Sequence, residues 1–252
     1  MNQVSLSPFA NFNSAVPWGL WVAIYIWLVG ISAGSFLLVC WGNLKNHLNL
    51  KKVTRLGISL SLATLLVGLL SIQIDLGHIE RFYKLFTSPS PSSVMAWIVW
   101  LYGVYALILL LSLFKLKKEI SRPFLSFAFV FALVIIVIEA LLFARPPGKH
   151  WHSLFFLIHF FTSSLVGAIA ALIFTAGVSW PKNEKAQLLK GLSRIALPII
   201  IINLLVEIIE IALLGSLNHL GTWLMLLGNV IAVALLLRHS PLAITLAGGI
   251  GL

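Results

Sequence analysis

Seven apolar runs, at about 18–42, 54–74, 94–114, 123–144, 154–180, 195–214 and 219–237, divide this chain, and an eighth begins at Pro241 and ends at Leu252. A helix rising about 1.5 Å per residue needs roughly 20 apolar residues to cross about 30 Å of hydrocarbon, and only a helix satisfies its backbone polar groups within one such segment. The ten-residue alternation of a membrane barrel is absent. With 60% hydrophobic and 10% charged residues, the chain lies far from a water-soluble composition, in which roughly a quarter of residues are charged. The expected fold is an all-α integral membrane protein, an eight-helix bundle in one transmembrane domain over 1–252. The last run, only twelve residues from 241 to 252, covers about 18 Å as a helix, so the eighth helix is expected to be short or incomplete.

The basic residues are sorted along the chain. Connections after the odd-numbered spans hold Lys45, Lys51, Lys52, Arg55, Lys115, Lys117, Lys118, Arg122, Lys182, Lys185, Lys190, Arg194 and Arg238, thirteen of the seventeen Lys and Arg. The other side holds Arg81, Lys84, Arg145 and Lys149. By the positive-inside rule the N-terminus lies outside, and the expected location is a bacterial cytoplasmic membrane. No basic residue precedes the first run and no small-residue cleavage site follows it, so it reads as a retained helix rather than a signal peptide. The net charge of +10 invites a nucleic-acid reading, but the bases sit beside helix ends, where anionic membrane lipid is the expected partner and nucleic acid is not.

A single cysteine, Cys40, excludes an internal disulfide and an iron–sulfur cluster held by this chain alone. Of seven histidines only His159 lies well inside a span, so neither haem nor another metal site is expected. Small residues sit in mid-helix in spans one (Gly30, Ser32, Ala33, Gly34, Ser35) and five (Ser163, Ser164, Gly167, Ala168, Ala170), where they let backbones approach in lipid. Their equivalent positions, four helices apart, predict two four-helix halves.

Helix direction converts position into depth. Trp18, Trp21 and Tyr25 share one face in the outer part of span one, Asp75 closes span two, and His78, Glu80 and Arg81 follow it. Glu139 lies in the last turns of span four, His159 in the first turns of span five, and Glu207 and Glu210 past the midpoint of span six. Every acid or histidine within or capping a span thus falls toward the outer side. Each has a plain alternative: Trp18 and Trp21 as interface aromatics, Glu139 as a structural partner of Arg145, Asp75 to Arg81 as a solvated helix end, His159 as a hydrogen-bonded core residue. Glu207 and Glu210 are harder to explain so, because a carboxylate deep in a membrane helix costs at least about 2.5 kcal/mol.

The stretch Asp75-Leu-Gly-His-Ile-Glu-Arg-Phe, the following Ser-Pro-Ser-Pro-Ser-Ser-Val-Met-Ala-Trp97, and Pro17-Trp-Gly-Leu-Trp-Val-Ala-Ile-Tyr-Ile-Trp-Leu-Val-Gly-Ile-Ser-Ala-Gly34 closely resemble the NrfD/PsrC-like family, the membrane subunits of polysulfide reductase and related respiratory complexes. Arg145-Pro146 and the Gly-rich last span resemble it too. The resemblance implies an eight-helix subunit that binds menaquinone or another quinone, holds no haem, and docks to an iron–sulfur subunit serving a molybdopterin or other catalytic subunit. By position it implies that the acid closing the second helix is Asp75 and that the polar quinone contact in the first helix is Tyr25. The chain departs from the pattern in the fourth helix, where family members often carry an aromatic residue near the quinone and this chain reads Val134-Ile-Ile-Val-Ile-Glu139.

Quinone chemistry moves two electrons and two protons on a carrier whose tail favours lipid, so the site is an apolar slot with a few proton-exchanging groups at one end. On this reading Asp75 and His78 are the catalytic proton acceptor and relay, and Trp21, Tyr25, Asp75, His78 and Arg81 contact the quinone. Glu139, Glu207 and Glu210 are candidates for proton transfer. Two other classes compete. A proton or small-solute transporter would use the buried acids, but the inner half offers only groups such as Ser32, Thr64, Thr175 and Asn229. A passive membrane anchor would leave the acids without a purpose.

Overall fold

The structure, a computed structural model, describes residues 20–75, 87, 94–116, 120–143, 154–214, 220–238 and 240–250. These residues form nine helices: α1 Leu20–Leu44, α2 Leu48–Lys52, α3 Thr54–Asp75, α4 Val94–Lys115, α5 Arg122–Phe143, α6 Leu154–Ser179, α7 Lys182–Leu214, α8 Leu220–Leu237 and α9 Pro241–Ile250. Six of them, α1, α3, α4, α5, α6 and α7, are long and apolar enough to cross a membrane; α8 contains a shorter apolar stretch, Leu226–Leu237, and α9 is short. The protein is an all-α, multi-pass integral membrane protein.

The spans read from hydropathy coincide with these helices within a few residues, with two differences. Span six, expected from 195, begins as helix at Lys182. Its first turns are polar, yet Leu188, Leu189 and Leu192 lie on one buried face, so amphipathic periodicity extends the helix beyond the apolar run. The expected connection between the first two spans contains α2. Asn46, in the left-handed region at φ 54°, turns the chain after α1, and Leu50 of α2 is buried against Gly42. Asn49 lies against Gly191 of α7, and Lys52 Nζ stands 3.8 Å from Glu184 Oε2 in a solvated pair of little energetic weight.

α1 and α6 form the centre. Of their most apolar stretches 72% and 61% are buried, against 22% in α7, whose Ile201, Ile202, Leu205, Ile208 and Ile209 face outward as a lipid-exposed stripe would. α1 packs on α3, α5 and α6; α6 packs on α1, α7 and α9. The perimeter is completed by contacts of α4 with α3 and α5 and of α8 with α7 and α9.

Small residues make the central seam. A Cβ added at Gly34 would stand 2.5 Å from the Ser164 carbonyl oxygen and 2.8 Å from Ala168 Cβ, so no side chain fits there and the two backbones touch. Gly248 of α9 approaches the α6 backbone in the same way, and a Cβ there would meet the Ala170 carbonyl oxygen and the Phe174 backbone nitrogen, both at 2.8 Å. α1 and α3 run antiparallel, with Leu28 beside Gly68 and Val39 beside Gly57, and Ser32 Oγ donates across them to the Ser61 carbonyl oxygen at 2.7 Å. That register carries the end of α3, at Asp75, to the level of Trp21.

Candidate functional site

Among the described residues, two hydrogen-bonded networks that contain buried carboxylates interrupt the apolar packing of the bundle. In the first, α1, α4 and α5 converge. Tyr25, 4% exposed, enters from the second turn of α1; Tyr102, 3% exposed, from α4; Glu139, 1% exposed, from the last turns of α5. The Tyr25 hydroxyl donates to Glu139 Oε1. The two phenol oxygens are 2.8 Å apart and the rings meet edge-on, with centroids 6.3 Å apart. Glu139 Oε2 is buried with no hydrogen-bond partner. Val22, Ile98, Ile135, Ile136 and Ala140 belong to the surrounding apolar core.

The second cluster joins α6, α7 and α8. Glu207, 3% exposed, accepts a hydrogen bond from Asn229 Nδ2 at 3.1 Å and a long one from Asn203 Nδ2 at 3.5 Å. Asn203 Oδ1 in turn accepts from the hydroxyls of Thr162, at 2.8 Å, and Ser163, at 3.2 Å. One turn beyond Glu207, Glu210 Oε2 lies 2.5 Å from His159 Nδ1. The donors are oriented in sequence: hydroxyls donate to an amide oxygen, and amide nitrogens donate to the carboxylate.

Both clusters lie at one depth. Tyr25 and His159 each precede, by five residues, the positions Gly30 and Ser164 that touch across the parallel α1–α6 seam. Five residues of helix are about 7.5 Å, so Tyr25 and His159 lie that far from the contact toward the same end of the bundle, while Thr162 and Ser163 carry the second cluster back to the level of the contact.

The sequence-derived candidates are thus distributed as follows. Tyr25 and Glu139, proposed for different roles, meet directly. Trp21, one turn before Tyr25, is 42% exposed, as suits an interface aromatic or a flank of an opening toward lipid. Asp75 is the last residue of α3 and lies near Trp21 by register, while its side chain lies outside the described residues, as do His78, Glu80, Arg81 and Arg145 entirely. Glu207 and Glu210 belong to the second cluster, with His159 as the partner of Glu210. Asn229, assigned by sequence to the inner half, reaches Glu207 instead. Tyr102 was missed; a tyrosine in an apolar span is common at membrane interfaces, and only its depth, matching that of Tyr25, pointed to it. Among the described residues no three His, Cys, Asp or Glu side chains gather as a metal site, and Cys40 is a buried free thiol.

Residues 9–249 match the family described as polysulphide reductase, NrfD. Among individual relatives, a selenate reductase subunit of Mesobacillus selenatarsenatis is 33% identical over 116 residues, which cover 46% of this chain and 26% of that protein. The Hdr-like menaquinol oxidoreductase integral membrane subunit of Archaeoglobus fulgidus is 26% identical over 194 residues, 73% of this chain and 49% of that protein. The chain therefore spans about a quarter to a half of the length of these relatives. With nearly its whole length matched, this chain belongs to the polysulphide reductase NrfD family.

Proposed function

We propose that the chain is the quinone-binding membrane subunit of a respiratory oxidoreductase and exchanges electrons between menaquinone and an iron–sulfur subunit on the outer side. Through that subunit it serves a molybdopterin or other catalytic subunit. Family membership supports the class, and the name of the Archaeoglobus relative, a menaquinol oxidoreductase subunit, supports the carrier. One observation carries the reading: Tyr25 and Glu139 meet, with Tyr102, in an otherwise apolar core, at the end of the bundle where α3 delivers Asp75 to the level of Trp21. A ring with exchangeable protons needs that combination of apolar walls and few polar groups.

In this reading Trp21 and Tyr25 flank the ring, Asp75 accepts a hydroxyl proton, His78 passes it to water, and Arg81 holds the acid or the partner subunit. The electrons leave to the iron–sulfur subunit. The packing of α3, α4 and α5 around α1, and of α7, α8 and α9 around α6, supports two four-helix halves, the first holding the quinone. The outward orientation of the N-terminus rests on the distribution of Lys and Arg. The test is titration of the purified chain with a menaquinol analogue, followed by turnover in the assembled complex. Asp75→Asn is expected to bind quinol and turn it over poorly; binding and turnover equal to the unaltered protein would remove Asp75 from the mechanism.

A second reading has its own observation. The bonded series Thr162, Asn203, Glu207, Asn229 and the pair His159–Glu210 suit proton transfer through the other half. Proton uptake by reconstituted vesicles in the absence of quinol, abolished by Glu207→Gln, is the result this reading predicts.

A further inference from the structure

A phenol has one proton to give, and the first cluster contains two phenols and one carboxylate. Tyr25 spends its proton on Glu139 Oε1, so in the 2.8 Å contact between the two hydroxyls Tyr102 must be the donor and Tyr25 the acceptor. The donors therefore run in one direction, from Tyr102 through Tyr25 to Glu139. At the far end Glu139 Oε2 is buried and unpartnered. A carboxylate bare on one side in an apolar core carries a charge that the single hydrogen bond from Tyr25 offsets only in part, and one added proton removes it. At the near end the Tyr102 oxygen uses its proton in the bond to Tyr25 and retains lone pairs able to accept. Tyr102 lies eight residues, about 12 Å, from the start of α4 at Val94, within reach of a ring entering from that end of the bundle.

We propose that these three side chains form a proton wire, with Tyr102 as the residue that receives a proton from a bound hydroquinone and Glu139 as the site that holds it. The hydroquinone O–H bond breaks and its proton joins the Tyr102 oxygen. The Tyr102 proton moves to the Tyr25 oxygen, and the Tyr25 proton moves to Glu139. The ligand is left as the mono-deprotonated hydroquinone with its electron pair on oxygen, Glu139 becomes a neutral carboxylic acid, and both phenols end as they began. The two electrons then leave to the iron–sulfur partner named above, and the second proton goes to the water-facing groups near Asp75. Reduction of quinone runs the same wire backwards. Tyr102 contacts substrate and is catalytic; Glu139 acts through the phenols and is a proton-holding residue. This inference rests on the quinone reading and adds a second proton acceptor, inside the bundle, to the one expected at Asp75.

The test uses the full chain in lipid nanodiscs with menadiol, a tail-less hydroquinone, and menadione, its oxidised form, which has no proton to give. Infrared difference spectra are recorded on binding, with tryptophan quenching to follow occupancy. Menadiol is expected to produce the carbonyl stretch of a new protonated carboxylic acid, and menadione is not. Glu139→Gln and Tyr102→Phe, at saturating menadiol, are expected to lose that signal, and Glu139→Asp to restore it at a shifted frequency. A signal that persists in Glu139→Gln, or is absent from the unaltered protein while menadiol binds, overturns the wire and leaves the quinone reading standing. Failure of the unaltered protein to bind menadiol overturns both.

Discussion

The bond between Tyr25 and Glu139 makes the sharpest energetic prediction. In Tyr25→Phe the ring packing survives and only the hydroxyl is lost, leaving both Glu139 oxygens bare and the Tyr102 hydroxyl without its acceptor. Interhelical hydrogen bonds measured by double-mutant cycles in membranes average about 0.6 kcal/mol and reach about 1.7. An ionised acceptor roughly doubles such values, and burial of Glu139 at 1% exposure removes water as a substitute partner. We therefore expect Tyr25→Phe to destabilise by about 2 kcal/mol. Against a Glu139→Leu background, where no carboxyl remains to be stranded, the same substitution should cost only the lost acceptor of the Tyr102 hydroxyl, giving a coupling of about 2 kcal/mol, roughly thirtyfold in the unfolding equilibrium. Titration with sodium dodecyl sulfate, followed by far-ultraviolet circular dichroism of all four proteins of the cycle, measures it. A coupling below about 0.5 kcal/mol would refute the claim that these side chains hold α1 to α5 through a desolvated bond.

Three other outcomes follow from the packing, the second cluster and the charge pattern. Gly34→Leu, which places carbon against the Ser164 carbonyl and Ala168, should cost about 1–3 kcal/mol and separate α1 from α6, visible as a lowered melting temperature, whereas Gly103→Leu, on a surface with open space, should leave it unchanged. Asn229→Leu strips Glu207 of its 3.1 Å donor and should destabilise by about 1–3 kcal/mol in the same assay, a loss that Glu207→Gln in the same chain should reduce. A membrane-impermeant thiol reagent applied from the outer side should modify Ser90→Cys and spare Lys118→Cys; the opposite pattern would invert the topology.

The sequence was most legible where one physical rule acts alone. Hydrocarbon thickness sets the length of apolar runs, so helices α1 and α3 to α6 could be placed within a few residues. It was least legible where a helix leaves the apolar regime: the polar first turns of α7 and the five residues of α2 are held by Leu188, Leu189, Leu192 and Leu50 packing at one end of the bundle, which no hydropathy window registers. Depth could be inferred from helix direction, and it correctly set Tyr25 and Glu139 at similar levels. Which helices adjoin could not be inferred, so nothing in the sequence joins Tyr25 and Tyr102 to Glu139. The departure in the fourth helix, an acid in an aliphatic stretch, was visible in the sequence; the two phenols bonded in line with it come from the preceding helix and from the first, a pairing that only the packing reveals.

The most direct measurement of the central claim is photoaffinity labelling of the full chain in lipid with an azido-quinone, followed by peptide mapping. Labelling is expected to be confined to α1, α4 and α5 near Tyr25, Tyr102 and Glu139 and to be competed by excess menaquinone. Labelling confined to α6, α7 and α8, or spread over all helices without competition, would contradict it.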